Sequence, residues 1–445
     1  SSISAQVSPL QVDTLKETKI PDQWDLQSCI DYAKEQNITI RKNRITAAST
    51  QIDVKTAKAA MFPSLSFSTS QQVVNRPYQE TSSRVSGNEI ISSNSKTSYN
   101  GNYGLNASWT LYNGNKRLKT IQQEKLNNQM AELDVATSEN NIQESIAQVY
   151  IQILYAAESV KVNENTLQVS IAQRDRGQEL LNAGSIAKSD LAQLEAQVST
   201  DRYQLVTAQA TLEDYKLQLK QLLELDGENE MNIYLPALSD ENVLAPLPTK
   251  RDVYISALSL RPEIEASKLN VEASELGINI AKSSYFPTIS LSAGIGTNHT
   301  SGSDFTFGEQ VKNGWNNSIG LSVSVPIFNN RQTKSAVQKA KLQYETSMLS
   351  LLDEQKALYK TIESLWLDAN SAQQRYAAAN EKLKSTQISY ELISEQFNLG
   401  MKNTVELLTE KNNLLQAQQE QLQAKYMAIL NTQLLKFYQG DQLAL

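Results

Sequence analysis

A single histidine, His299, and a single cysteine, Cys29, stand in a chain of 445 residues. That pair makes neither a Cys/His metal centre nor an internal disulfide. No nucleophile–histidine–acid set can be assembled around one imidazole, and no G-x-x-x-x-G-K-[ST] run cradles a nucleotide phosphate. Cys29 lies in the amphipathic stretch Leu26-Gln27-Ser28-Cys29-Ile30, which predicts a buried core thiol too far along the chain to be a lipid-bearing first residue. His299, among Thr, Ser and Gly, reads as a loop residue between two strand-like runs. Acidic side chains stand shortly after two glycines, Asp190 after Gly184 and Glu406 after Gly400. Taken alone, each favours the positive end of a helix by about 0.3–1 kcal/mol. The expectation is a protein that makes and breaks no bonds and needs no cofactor and no metal.

What positions those carboxylates is a pair of long helical hairpins. In the first, two helices between Asn115 and Leu225 fold back at Asn182-Ala183-Gly184-Ser185. Glycine ends a helix in the left-handed region at little steric cost, and Ser185 and Ser189 can cap the returning helix with Asp190 in its first turn. Leu191, Val198, Leu205, Leu212 and Leu219 recur every seven residues, with Leu194, Ala208, Tyr215 and Leu222 at the offset of three. That is a coiled-coil seam. The first arm, Lys116 to Leu181, contains no proline, and at about 1.5 Å per residue it spans roughly 100 Å. Its apolar positions are sparse, so it needs neighbours along most of its length.

The rest of the chain repeats one plan. Residues 1–21 are polar, with Pro9 and Pro21, and read as extended. Asp25 to Ala60 reads as a helix stopped by Phe62-Pro63. Leu65, Phe67 and Thr69, then Tyr103, Leu105, Ala107, Trp109 and Leu111, alternate with polar or small residues as strands do. Asn75 to Asn102 between them is a Ser/Asn-rich loop. Residues 226–250 carry Pro236, Pro246 and Pro248 and read as a linker. Then a helix from Arg261 to Ser284 ends at Phe286-Pro287, 224 positions beyond Phe62-Pro63. Ile289 to Ile295 and Ile319 to Ile327 alternate, and a second long helix follows Phe328-Asn329-Asn330-Arg331. Leu399-Gly400-Met401 falls 216 positions beyond Ala183-Gly184-Ser185. The chain therefore divides into a first repeat (1–225), a linker (226–250) and a second repeat (251–445), each helix–strand–strand–helix–helix.

Strands of about ten residues match a tilted membrane strand, and no apolar run approaches the ~20 residues of a membrane helix. Four strands cannot close a transmembrane barrel, and an open edge in lipid leaves backbone groups unpaired at several kcal/mol each. A dimer gives eight strands and a filled interior; a trimer gives twelve and an open bore. The competing architecture is a soluble coiled-coil protein with β-hairpins at one end, which leaves the alternation of all four strands unexplained. Net charge is −7 without basic runs, so a nucleic-acid partner is not expected. The start at Ser1-Ser2-Ile3-Ser4-Ala5, without an initiator Met, is what a secreted chain freed of its signal peptide would show.

The duplicated helix–Phe-Pro–strand–strand–long helix plan resembles the TolC family of outer-membrane efflux proteins. So do the opening Trp24-Asp25-Leu26…Cys29-Ile30…Tyr32-Ala33 and the turns Leu181-Asn182-Ala183-Gly184 and Phe397-Asn398-Leu399-Gly400. The resemblance runs from about Trp24 to Gly440. It implies a mainly α chain with a membrane β-barrel: a homotrimer whose twelve-stranded barrel, seated in outer-membrane lipid, continues into a twelve-helix periplasmic coiled-coil tunnel. Such a protein is a passive exit duct of an efflux or type I secretion system in a Gram-negative bacterium. A periplasmic adaptor meets its tips, here Asn182, Ala183, Gly184 and Ser185 with Leu399, Gly400 and Met401, and an inner-membrane pump supplies the energy. By the same resemblance Glu406 forms an acidic ring narrowing the pore, with Thr409 where some relatives carry a second acid and Glu410 adjacent. The links that hold the tip closed fall on Ser189 and Asp190 in one hairpin and Phe397 and Lys402 in the other, Lys402 pairing with Asp190. Phe397 lacks the hydroxyl that a tyrosine supplies in some relatives. The alternatives are an autonomous porin and a soluble structural coiled-coil trimer.

Overall fold

The computed structural model describes residues 19–80, 82–93, 95–228, 230–241 and 243–445. The extended reading of residues 1–21 lies outside these up to residue 18. Two compact units divide the chain, and each draws on both halves. A helical unit takes the chain up to Ile45, Leu133–Glu265 and Leu352–Leu445; a sheet-bearing unit takes Thr46–Glu132 and Ala266–Leu351.

Helices α1 (Leu26–Gln36) and α2 (Ile38–Ala59) stand where one continuous helix is expected. Asn37 makes the break. Its N–H closes α1 on the Ala33 carbonyl at 2.8 Å, and its Oδ1 accepts from the Thr39 amide at 3.0 Å to open α2. Its Nδ2 donates to the Leu222 carbonyl at 3.0 Å. A short amide side chain that bonds the backbone competes with helix continuation, and here a partner 185 residues away fixes the outcome. The second repeat makes the same joint with Arg261 between α5 (Lys250–Leu260) and α6 (Pro262–Lys282), proline occupying the first helical position, where its missing N–H costs nothing. The helix expected from Arg261 is α6; the helix before it, α5, was not expected, and it is capped by Thr249, whose Oγ1 accepts from the Asp252 amide at 3.2 Å.

Four antiparallel strands, β1 (Ser64–Asn75), β4 (Thr97–Asn113), β5 (Thr288–Thr300) and β6 (Asn316–Ser324), form one sheet in the order β1-β4-β5-β6. The register places Phe67 opposite Leu105, Leu105 opposite Ile295, Trp109 opposite Leu291 and Leu291 opposite Leu321. Directly opposed residues share a face, so one face is an apolar belt and the other carries Ser66, Asn106, Gly294 and Ser318. The belt is bare: Phe67 is 66%, Leu321 65% and Ile319 77% exposed. Among the described residues, no strand pairs with the outer edge of β1 or of β6. The segment expected as a loop between Asn75 and Asn102 instead forms a hairpin, β2 (Ser82–Ser86) with β3 (Glu89–Ser93), turned at Gly87 with φ +63°. His299 is also not in a loop: it ends β5 opposite Gly101. Between β5 and β6 a short helix, α7 (Phe307–Asn313), is opened by a reciprocal cap between Thr306 and Glu309.

The long helices are α3 (Lys116–Asn182), α4 (Lys188–Leu222), α8 (Gln332–Asn398) and α9 (Thr404–Gln439). In the helical unit, Trp24, Cys29, Ile30 and Ala33 pack with Ile146, Tyr150 and Ile153 of α3, Leu219 and Leu223 at the end of α4, and Leu430 and Leu434 of α9. Cys29 is wholly buried, and burial pushes its thiol up to about 12. The proline-bearing segment 226–250 bridges to Trp24 at Ile233, and side chains take several of its other carbonyls. Lys425 donates to Leu238, Gln373 to Val243 and Ala245, and Trp366 to Pro248, at 2.8–3.1 Å.

Candidate functional site

The two hairpin turns are built alike. Gly184 and Gly400 lie at φ +75° and +76°, where a Cβ would meet nothing and only backbone strain opposes substitution. At the first turn the Gly184 amide donates to Leu181 at 2.9 Å and Ser185 to Leu180 at 2.8 Å; at the second Gly400 donates to Phe397 at 3.0 Å and Met401 to Gln396 at 2.8 Å. These paired bonds satisfy the carbonyls that a helix end leaves free. Asn182, Ala183, Gly184, Ser185, Leu399 and Gly400 are exposed, and Met401 is 69% exposed.

The returning helices start from their acids. Asp190 accepts from the Ala187 amide at 3.0 Å, and Glu406 from the Asn403 amide at 3.1 Å. Asn403 returns the bond, its Oδ1 accepting from the Glu406 amide at 2.8 Å. The N-cap of α4 is therefore Ala187 and not Ser185 or Ser189: Asp190 reaches back to the chain, so no hydroxyl is needed. The expected Lys402–Asp190 ion pair does not form within the chain. Lys402 lies 3.5 Å from Glu406, one turn on along its own hairpin, while Asp190 is taken by Ala187. Both partners are well exposed, so this pair contributes only about 0.3–0.5 kcal/mol. Ser189 and Thr409 are exposed and Glu410 half-buried. Phe397 is 4% exposed, and it lines a pocket with Val169, Ala172, Tyr390 and Leu407. In the chain it is a core residue of the tip.

Above the turns lies a cluster that the seam pattern passed over. Lys411 of α9 donates to Asp201 of α4 and to Ser170 of α3, and Ser170 donates to the same Asp201 oxygen. Gln197 completes the acid from 2.9 Å. Lys411 and Asp201 are 3% and 2% exposed. Burial lowers the Lys411 pKa, and the bond and charge of Asp201 pull it back. One buried cation thus ties three helices of two hairpins. The signal was present: Asp201 sits three residues after Val198 and four before Leu205, a seam position where an apolar side chain is the rule. A second buried ion group marks the α5–α6 joint. Arg261 meets Glu263 at 2.9 Å and Glu144 at 3.4 Å, under the ring of Tyr438.

Nothing in these turns assembles a nucleophile with a base. The turns present exposed backbone, Leu399, Met401 and carboxylates at the ends of the long helical arms. A protein of long helical hairpins joined to one four-stranded antiparallel sheet is the class that the fold defines. A sequence model of the outer membrane efflux protein family matches residues 29–224 and 253–440. The chain belongs to that family. It is 24% identical over 294 residues to the outer membrane efflux protein BepC of Brucella suis biovar 1 (strain 1330), an alignment covering 66% of this chain and 61% of BepC. Over another 294 aligned residues it is 24% identical to the outer membrane protein TolC of Escherichia coli (strain K12), covering 64% of this chain and 58% of TolC. The chain thus spans about three fifths of the length of these two relatives. A crystal structure of CusC superposes with a TM-score of 0.79 at 19% identity, covering 94% of this chain and 92% of CusC.

Proposed function

We propose that this chain is one protomer of a homotrimeric exit duct that conducts cargo passively across the periplasm and the outer membrane. The observation that carries the reading is the four-stranded sheet with two open edges and one bare apolar face. A face with Ile319 77% and Phe67 66% exposed is costly in water, and open edges are excluded from lipid. The edge cost vanishes when β6 of one copy pairs with β1 of the next and three copies close twelve strands, and the face cost when lipid covers the closed wall. The matching element order of residues 1–225 and 251–445 supports a duplicated chain whose halves alternate around such a wall. The 67-residue helices α3 and α8 favour a duct that also crosses the periplasm over an autonomous porin, and the bare belt argues against a soluble coiled-coil trimer.

In this reading an adaptor docks on the turns at Asn182–Ser189 and Phe397–Thr404, and an inner-membrane pump supplies the energy. Three Glu406 carboxylates form the acidic constriction, each held at its helix start by the Asn403 amide of its own hairpin, with Thr409 and Glu410 beyond it. Ser189, Asp190, Phe397 and Lys402 flank the gate, Lys402 restraining Glu406 within its own hairpin. The experiment is disulfide scanning between copies, with cysteines placed along β1 at Ser66 and Ser68 and along β6 at Ser318 and Gly320. A trimer ladder on oxidation of the membrane-inserted protein is the expected result. Cross-linking that stops at dimer, or a protein that stays monomeric in membranes, would overturn the reading.

A further inference from the structure

Helix α7 lies on the apolar face of the sheet. Phe307 packs edge-on against His299 with ring centroids 4.9 Å apart, and His299 stacks on Tyr103 at 5.7 Å and touches Tyr99 at 5.4 Å. Tyr103 stands on the same face of β4 as Leu105 and Trp109. Gly101 makes room for this stack, since a Cβ there would fall 2.1 Å from the imidazole. Polar bonds lock the helix down: Thr297 Oγ1 donates to the Val311 carbonyl at 2.6 Å, and Gln310 Oε1 accepts from the Thr300 amide at 2.8 Å. A seven-residue helix has no stability of its own, so its place is set by this anchorage. Yet Phe305, Phe307 and Trp315 are 41%, 57% and 55% exposed. The Trp315 indole N–H is satisfied by Asn317 at 3.1 Å, which leaves the ring as free apolar area with no polar debt.

We propose that α7, with Phe305, Phe307 and Trp315, is a lipid-seated collar lying in the headgroup boundary of the bilayer, at the end of the sheet away from the long helices. The inference rests on the reading of the sheet as a barrel wall, and it commits to lipid as the occupant because the helix continues the apolar belt. From Leu291, opposite Trp109, to His299 the strand makes eight steps. These run roughly 26 Å at about 3.3 Å per residue, or about 20 Å of height at a tilt near 40°. That height places α7 near the far border of an apolar band of about 25 Å. Partly exposed Trp and Phe side chains with satisfied polar atoms suit that level of a membrane. At the opposite border the Trp109 indole donates to the Met61 carbonyl at 2.8 Å, and Phe62, next in the chain, is exposed.

The test uses the full chain reconstituted in phosphatidylcholine–phosphatidylglycerol vesicles, with an environment-sensitive fluorophore on Phe307→Cys. Cys29 is wholly buried and stays unlabelled. Ile319→Cys reports the belt itself. Lipid carrying a nitroxide near the headgroup should quench the probe at 307 roughly twofold more than aqueous iodide does, with 319 quenched by lipid as well. Quenching of 319 by lipid with 307 quenched by iodide would overturn the collar and leave the barrel standing. A probe at 307 shielded from both quenchers would mean that a neighbouring protomer covers the helix, which also overturns it. No lipid quenching at 319 would remove the barrel reading, and the collar with it. Phe305→Cys is the second position should Phe307→Cys fail to assemble.

Discussion

Lys411, Asp201 and Ser170 show how much a single side chain can fix in a bundle of sparse seams. An ion pair with both partners under 4% exposed brings little net stability, because desolvation offsets the attraction, but removing one partner strands the other. Lys411→Met should therefore destabilise the helical unit by about 3–5 kcal/mol, read as a fall in the thermal midpoint of the helix signal. The triple change Lys411→Met, Asp201→Leu, Ser170→Ala should come close to wild type. If the single and triple variants melt together, the cluster is not the clamp described above. Cys29 offers a simpler reading. A buried thiol pushed up to about 12 carries almost no thiolate at pH 8. Maleimide should leave it untouched in the folded protein and modify it fully in denaturant; rapid labelling of the native chain would contradict its placement. Cys29 was legible as core because Leu26 and Ile30 flank it on one helical face. His299 was not, because its aromatic neighbours Tyr99, Tyr103 and Phe307 are set by strand register and by a helix that no period announces.

Elements were legible wherever a period ran long enough. The alternation at Leu65–Thr69 and Tyr103–Leu111 lies within β1 and β4, and the glycines at 184 and 400 mark the turns within a residue. What the sequence hid were breaks governed by distant partners. Asn37 fits inside a helix, and only its bond to the Leu222 carbonyl and its cap on Thr39 make it a joint. Asn37→Ala should lose both and cost about 1–2 kcal/mol, measured as a lowered denaturation midpoint; an unchanged midpoint would mean that packing alone sets the joint. At the turns the cost is conformational. Gly400→Ala meets no steric neighbour but must hold φ near +76°, worth about 1–2 kcal/mol. Gly400→Asn should recover much of that loss, since asparagine tolerates the left-handed region. Equal losses for both variants would point to a contact beyond the backbone.

At the scale of the whole molecule, the four strands of the main sheet were readable and the β2–β3 hairpin was not; three copies is the reading proposed above. The chain's own compact units cut across the repeats, because a helix–strand–strand–helix unit cannot bury its faces alone and pairs with its counterpart from the other half. At the tip the partner of Lys402 was not readable: it turns to Glu406, four residues on across the start of α9, and not to Asp190. Three exposed carboxylates in a narrow pore should favour cations. The most direct measurement is the single-channel conductance of the purified protein in planar bilayers, wild type against Glu406→Gln. A trimeric duct with Glu406 at its constriction predicts small, discrete, cation-selective steps that lose selectivity in the variant. Failure to insert under conditions that admit known barrels would contradict the duct itself.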